Sequence, residues 1–247
     1  MAVDALIPGI NSVTAALRRD PAAVLELWLD RERSDRRIQE LAAAAEAAGV
    51  RVQWSERKAL DRKAKGGGHQ GAVMRARVPA PLGEAGLESL LTGTGAPPLL
   101  LVLDGVQDPH NLGACLRSAA AAGADAVIAP RDRACGLTPT VRKVASGGAE
   151  TVPLAQVTNL ARTLRTLQEA GVWLVGADSD GAQTLYQADL RGPLALVLGA
   201  EGRGLRRLTR EHCDQLVRIP MAGAVESLNV SVATGVFLFE AVRQRLG

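Results

Sequence analysis

The run Leu99-Leu100-Leu101-Val102-Leu103, ending at Asp104, constrains the fold more than any other stretch. It has no polar face, so a strand built from it must be covered on both sides. Helical and strand-like segments alternate after it. The apolar spacing predicts helices over 111–122, 138–146, 160–170 and 205–211, and strands over 126–129, 152–154, 172–177, 194–198 and 216–219. A final helix carries Phe237, Leu238, Ala241 and Val242. Such alternation implies an α/β domain, a parallel sheet with helices on both faces.

Residues 5–78 read as a second, smaller α/β module. Helices are expected at 9–17, with Asn11 or Ser12 near the cap, and at 36–48, stopped by Gly49. Strands are expected at 24–29, 50–54 and 72–78. Residues 79–98 are rich in Pro and Gly and read as a linker. The expected partition is therefore 1–78, a linker over 79–98, and 99–247.

At 247 residues and 47% hydrophobic content the chain can bury a real core. It carries no apolar run of membrane-spanning length and no apolar leader, since Met1 to Ile10 already contains Asp4 and Pro8. A cytoplasmic location is the expectation, with no membrane partner. Cys115, Cys135, Cys213 and the three His form no metal-ligand spacing, so no metal is expected and free thiols are. An aromatic content of 2% disfavours a base-stacking platform.

Charge is uneven. Residues 1–78 hold 14 Lys/Arg against 10 Asp/Glu, and the remainder 15 against 16. Arg57, Lys58, Arg62, Lys63 and Lys65 cluster before Gly66-Gly67-Gly68. Cations beside a glycine-rich turn suit an RNA phosphate backbone, and equally a solvated helix face. Arg75 and Arg77 share one face of the next strand and extend the patch.

Three loops at strand ends carry the candidate chemistry, because ligands in open α/β sheets bind outside the carboxyl ends of strands. The first runs from Asp104 into residues 111–117 (NLGACLR), where Asn111 starts a helix and Arg117 is set to share its face; each could instead be an ordinary cap or a surface cation. Glu150 follows two glycines and could pair with Arg117 or be exposed. The second is residues 196–204 (LVLGAEGRG), whose glycines permit close backbone approach. It has neither the dinucleotide fingerprint nor the GK[ST] of a P-loop, which disfavours a Rossmann dehydrogenase. The third is residues 219–235 (IPMAGAVESLNVSVATG): Pro220 ends a strand, a small-residue loop follows, and Ser227 and Asn229 lead into the last helix. That is a ligand loop or a plain helix cap.

Taken together and in this order, the three motifs resemble those of the SpoU (TrmH-like) branch of the SPOUT RNA methyltransferases. The resemblance is dense over 99–246 and extends to the first module, which is similar to the family's ribosomal-L30-like substrate-binding domain. It implies a parallel sheet containing a deep trefoil knot, which periodicity does not reveal. It implies S-adenosyl-L-methionine as cofactor, held near Leu198, Gly199, Glu201, Gly202, Ile219, Met221, Ser227 and Leu228. It implies Asn111, Arg117, Glu150, Ser227 and Asn229 as catalytic residues, with Arg117 also facing RNA. It implies a homodimer whose interface includes the last helix, where Phe237, Phe239 and Val242 are candidates.

The implied reaction is methylation of a guanosine ribose 2′-oxygen in 23S rRNA, on the rRNA or a pre-ribosomal large subunit. A tRNA 2′-O-methyltransferase and an rRNA adenosine 2′-O-methyltransferase share the architecture. A non-catalytic assembly factor would not need the full set of site residues. Arginine stays protonated in proteins, so Arg117 suits charge stabilisation better than proton abstraction.

Overall fold

The computed structural model describes residues 2–64, 68–79, 81–93 and 95–247. They form two compact units: Met1–Ala80 with Leu137–Thr151, and Pro81–Gly136 with Val152–Gly247.

The first unit runs β1 (Ala2–Pro8), α1 (Ile10–Arg19), β2 (Val24–Asp30), α2 (Arg36–Ala47), β3 (Val52–Ser55), α3 (Arg57–Lys63) and β4 (Ala72–Pro79). Its sheet has the order β1-β4-β2-β3, with β4 antiparallel to both neighbours and β2 parallel to β3. Alternation sorts the two faces. Ile7, Leu27, Leu29, Met74 and Ala76 meet α1 and α2 in the main core. Trp28 and Val73 turn to the other face and meet Leu60 of α3 and Ala64, which caps its C-terminus.

In the second unit come α4 (Glu84–Gly93), β5 (Leu99–Asp104), α5 (Pro109–Ala121) and β6 (Ala126–Pro130). The chain then contributes α6 (Pro139–Ala145) and the single turn α7 (Gly148–Thr151) to the first unit. It returns through β7 (Leu154–Val157), α8 (Leu160–Glu169), β8 (Trp173–Ala177), β9 (Gln183–Thr184), β10 (Leu194–Gly199), α9 (Arg207–His212), β11 (Gln215–Arg218) and α10 (Val230–Leu246). The sheet order is β7-β6-β5-β10-β8-β11-β9, and every pair is parallel. All six residues of β5 are buried. Leu100, Val102, Ala195 and Val197 pack with α4 and α8 on one face. On α5, Cys115 meets Thr234 of α10, with 3.3 Å between Sγ and Oγ1. Burial pushes the Cys115 thiol up to about 11 and the Cys213 thiol to about 12, so both are neutral packing groups.

Several expectations are corrected. The stretch 79–98 is not a bare linker: α4 fills half of it, because Leu87, Leu90 and Leu91 recur at helical spacing and pack on the parallel sheet with Leu82. The cap of α1 is Gly9, with no side-chain bond; Ser12 is buried and its hydroxyl donates to the Arg142 carbonyl (3.1 Å). Residues 152–154 do not make a strand of their own, which starts at Leu154 and follows the α7 turn. β1 and β9 were not anticipated: β1 has Asp4 on its second face, and β9 is two residues long.

Candidate active site

β5, β10 and β11 place three loops at the carboxyl edge of the parallel sheet. Asp108 caps α5, its carboxylate accepting from the His110 N–H at 2.8 Å, and Pro109 occupies the first turn. Asn111 is therefore in the first turn of α5 and is free of capping duty. It is buried, and its Oδ1 accepts from Asn229 Nδ2 at 3.0 Å.

Asn229 organises the cluster. It caps α10: its Oδ1 accepts from the Ser231 N–H (2.9 Å) and from the Ser231 hydroxyl (2.6 Å). Its Nδ2 donates to Asn111 and also to the Glu201 carboxylate. An amide has two donor hydrogens and two acceptor lone pairs, and all four are committed. A flipped amide would set Nδ2 against the Ser231 N–H, so the orientation is fixed by its partners. The third loop thus both caps a helix and builds a site.

The second loop is shaped by close approach. A Cβ on Gly199 would lie 2.0 Å from the Gly204 carbonyl carbon, so no other residue fits. Gly202 holds a left-handed conformation (φ 71°). The loop is anchored by Asp104 at the end of β5. This buried carboxylate accepts from the Arg206 N–H (2.9 Å) and pairs with the Arg206 guanidinium. Asp104 and Arg206 were not singled out from the sequence; an acid ending an all-apolar strand was the available signal.

Not every expected residue joins this cluster. Six positions along a helix correspond to 240° of rotation, so Arg117 does not share the buried face of Asn111 and is exposed. Ser227 is exposed, and among the described residues its side chain has no hydrogen-bond partner. Glu150 neither pairs with Arg117 nor is exposed. It lies in the first unit, where its Oε1 takes the Arg142 guanidinium at 2.7 Å, with both side chains buried. Its Oε2 is buried without a partner among the described residues. Burial pushes its carboxyl above the ordinary value, and Arg142 pulls it part of the way back. Arg19 donates to its backbone carbonyl.

Glu201, expected near the cofactor, accepts from Asn229 Nδ2, the same amide nitrogen that donates to Asn111. Leu198 is buried in β10. Gly202 and Met221 are exposed, and Ile219 and Leu228 are half-buried. Outside helices and strands, no described backbone-to-backbone hydrogen bond involves residues 220–228. Most of these residues are exposed, so their backbone polar groups are open to solvent or to a ligand. That suits a ligand such as S-adenosyl-L-methionine, rich in polar edges around a flat base.

The cations of the first unit take two kinds of place. Arg57, Lys58 and Arg62 are exposed on α3. Lys63 sits 3.8 Å over the Trp28 ring. Lys65 lies outside the described residues. Arg75 and Arg77 are exposed on β4, and Arg75 pairs with Glu26 at 2.6 Å. Among the described residues no group of metal-ligating side chains is present, and no helix is long and apolar enough to cross a membrane.

Comparison with known proteins bears directly on this arrangement. The SpoU rRNA Methylase family profile matches residues 98–239, and that of RNA 2′-O ribose methyltransferase substrate binding matches residues 6–81. The 23S rRNA (guanosine-2′-O-)-methyltransferase RlmB of Yersinia pestis is 59% identical over 240 residues, 97% of either chain. The SpoU methyltransferase AviRb from Streptomyces viridochromogenes, solved in complex with AdoMet, superposes with a TM-score of 0.80 at 25% identity, over 98% of this chain and 91% of that one. A TrmH/SpoU tRNA modifying enzyme from A. aeolicus is 27% identical, with a TM-score of 0.56 over 66% of this chain and 82% of its own. With its three loop motifs on a parallel sheet and both profiles matched in order, the chain belongs to the SpoU rRNA Methylase family.

Proposed function

We propose that this chain transfers a methyl group from S-adenosyl-L-methionine to the 2′-oxygen of a guanosine ribose in 23S rRNA. The observation that carries this reading is the convergence of Asn111, Glu201 and Asn229 at the sheet edge, in a chain whose relatives named for that reaction match it over nearly their whole length. The tRNA-modifying relative leaves about a third of this chain unmatched, which favours rRNA over tRNA.

The cofactor supplies an electrophilic methyl carried on a sulfonium. Residues 199–204 and 219–228 hold it through backbone groups, with Leu198, Ile219, Met221 and Leu228 as apolar contacts. The ribose 2′-hydroxyl must be aligned with that methyl and must lose its proton. Glu201 is the one carboxylate in the cluster and is the acceptor best placed for that proton. Asn111 and Asn229 orient it and the ribose. Ser227, with its hydroxyl uncommitted, contacts the substrate. Arg117, permanently charged, holds the RNA phosphate and stabilises developing negative charge on oxygen. Glu150, committed to Arg142, contributes by positioning the segment 137–151. Residues 1–78 bind the rRNA through Arg57, Lys58, Arg62, Lys63 and Lys65.

The last helix favours a homodimer. Val232, Val236, Phe239 and Leu246 recur at helical spacing, and all but the half-buried Val236 are exposed. Phe237, by contrast, is buried in its own chain. A second copy of the same helix is the occupant that satisfies a self-complementary stripe. The region holding residues 196–204 and 219–235 forms the trefoil knot, and the protein works in the cytoplasm.

Isothermal titration with S-adenosyl-L-methionine tests the cofactor half of this reading. Saturable binding that Gly199→Ala abolishes is expected. No heat at high micromolar cofactor would refute it.

A further inference from the structure

A cavity of about 230 Å³ opens on the α3 side of the first sheet and is lined by Asp4, Leu6, Pro8, Lys63, Ala64 and Pro139. It is smaller than the roughly 300–1,000 Å³ typical of sites for drug-sized ligands, so it suits one planar heterocycle. Leu6 and Pro8 of β1, with Ala64 and Pro139, supply its apolar lining. The two remaining groups carry opposite charge, yet they do not neutralise each other: no Asp4–Lys63 ion pair forms. Asp4 has no ion pair or side-chain hydrogen bond among the described residues, although Arg77 is its cross-strand neighbour.

The Lys63 ammonium is held 3.8 Å over the Trp28 ring, and Trp28 is fixed by its Nε1–H donating to Gln53 (3.0 Å). Lys63 thus offers a positioned donor and Asp4 a free acceptor. The exposed cations Lys58, Arg62 and Arg77 belong to the same side of this sheet.

We infer that this cavity binds an unstacked guanine of the RNA, away from the ribose that is methylated; the inference rests on the proposal that the chain acts on rRNA. Guanine presents O6 as an acceptor beside N1–H and N2–H donors. Lys63 donates to O6 while Asp4 accepts from N1–H and N2–H. Adenine reverses the pattern, setting its N1 lone pair against the carboxylate and its amino group against the ammonium. Uracil retains O4 and N3–H but places a carbonyl where guanine has its amino group. Splayed single-stranded bases read on this edge are the usual mode of sequence-specific RNA recognition.

The test is equilibrium binding of the full chain to a short, labelled, single-stranded oligoadenylate with one central guanosine, against the all-adenosine strand, at fixed salt. The central guanosine is expected to tighten binding at least about fivefold, the low end for a bidentate base contact. Inosine, lacking the amino group, should fall between. Asp4→Asn should abolish the preference without weakening all-adenosine binding, since that affinity comes from phosphate contacts and no cation is lost. Leu6→Trp should abolish it by filling the cavity, without changing charge. Equal affinity for the two strands, or a preference that survives both substitutions, overturns the inference. Methyl transfer to 23S rRNA is measured separately on the same wild-type preparation. Its absence would refute the proposed reaction, and the strand comparison would still decide the cavity's role.

Discussion

Asn229 shows how much one side chain can carry. It caps a helix and holds two site residues with the same four hydrogen-bonding positions. These duties separate by substitution. Asn229→Ala loses both, and should cost about 1 kcal/mol of stability from the cap. Asn229→Asp keeps the cap, because a carboxylate still accepts from the Ser231 N–H, but it faces Glu201 and the Asn111 oxygen with like charge or lone pairs. It should be the more stable of the two in urea denaturation, yet methyl transfer should fall roughly 100-fold, the scale of losing one preorganised donor. Equal activity in Asn229→Asp and wild type would remove the cluster from the mechanism. Motif order and residue type made Asn111 and Asn229 legible in the sequence. The meeting of Glu201 with them was not, since a contact across 28 residues depends on how tightly Gly199 and Gly204 fold their loop. Glu150 was legible as a special acid, but its partner was not: Arg142 reaches it because both sit on the short helices α6 and α7 of one packed segment.

At the scale of elements, that buried pair predicts a pH dependence. The Glu150 carboxyl has an ordinary value near 4.5 and is raised in the folded chain, chiefly by burial. The folded state therefore holds this proton to higher pH than the unfolded one. Its contribution to stability is greatest below about pH 4.5 and declines as pH rises through the window up to the raised value. Removing the attraction with Arg142→Ala should raise the carboxyl further, extend the decline to higher pH, and cost about 3–5 kcal/mol at neutral pH. Replacing both partners, Arg142→Met with Glu150→Leu, should recover most of that loss and flatten the slope. Denaturant midpoints from pH 4 to 8 read all three; a slope unchanged by the double substitution would place the titration elsewhere. Elements with a strong pattern, α2 and α8 by helical periodicity and β5 by its unbroken apolar run, were plain in the sequence. α4 was hidden because prolines and glycines flank it, although its leucines lie at helical spacing and pack on the sheet. The two-residue β9 has no pattern to read and forms because β11 offers it an edge.

The whole molecule joins a mixed-sheet module of basic character to an all-parallel methylase sheet. The parallel architecture was evident from strands without a polar face, but strand order was not. Inserting β10 between β5 and β8 is a topological choice that periodicity does not encode. Self-association belongs to this scale. Phe239→Glu, at a half-exposed ring on α10, should convert a dimer to a monomer by light scattering. The monomer's fold should survive, since an exposed substitution ordinarily changes stability by no more than about 0.5 kcal/mol; an unchanged mass would exclude this stripe as the interface. The most direct test of the central claim is to incubate the purified chain with S-adenosyl-L-methionine and 23S rRNA that lacks ribose methylation, then map 2′-O-methyl groups nucleotide by nucleotide. A single new 2′-O-methylguanosine, absent with Asn229→Asp, is the predicted result. No ribose methylation of the 23S rRNA, or methylation that appears only in added tRNA, would contradict it.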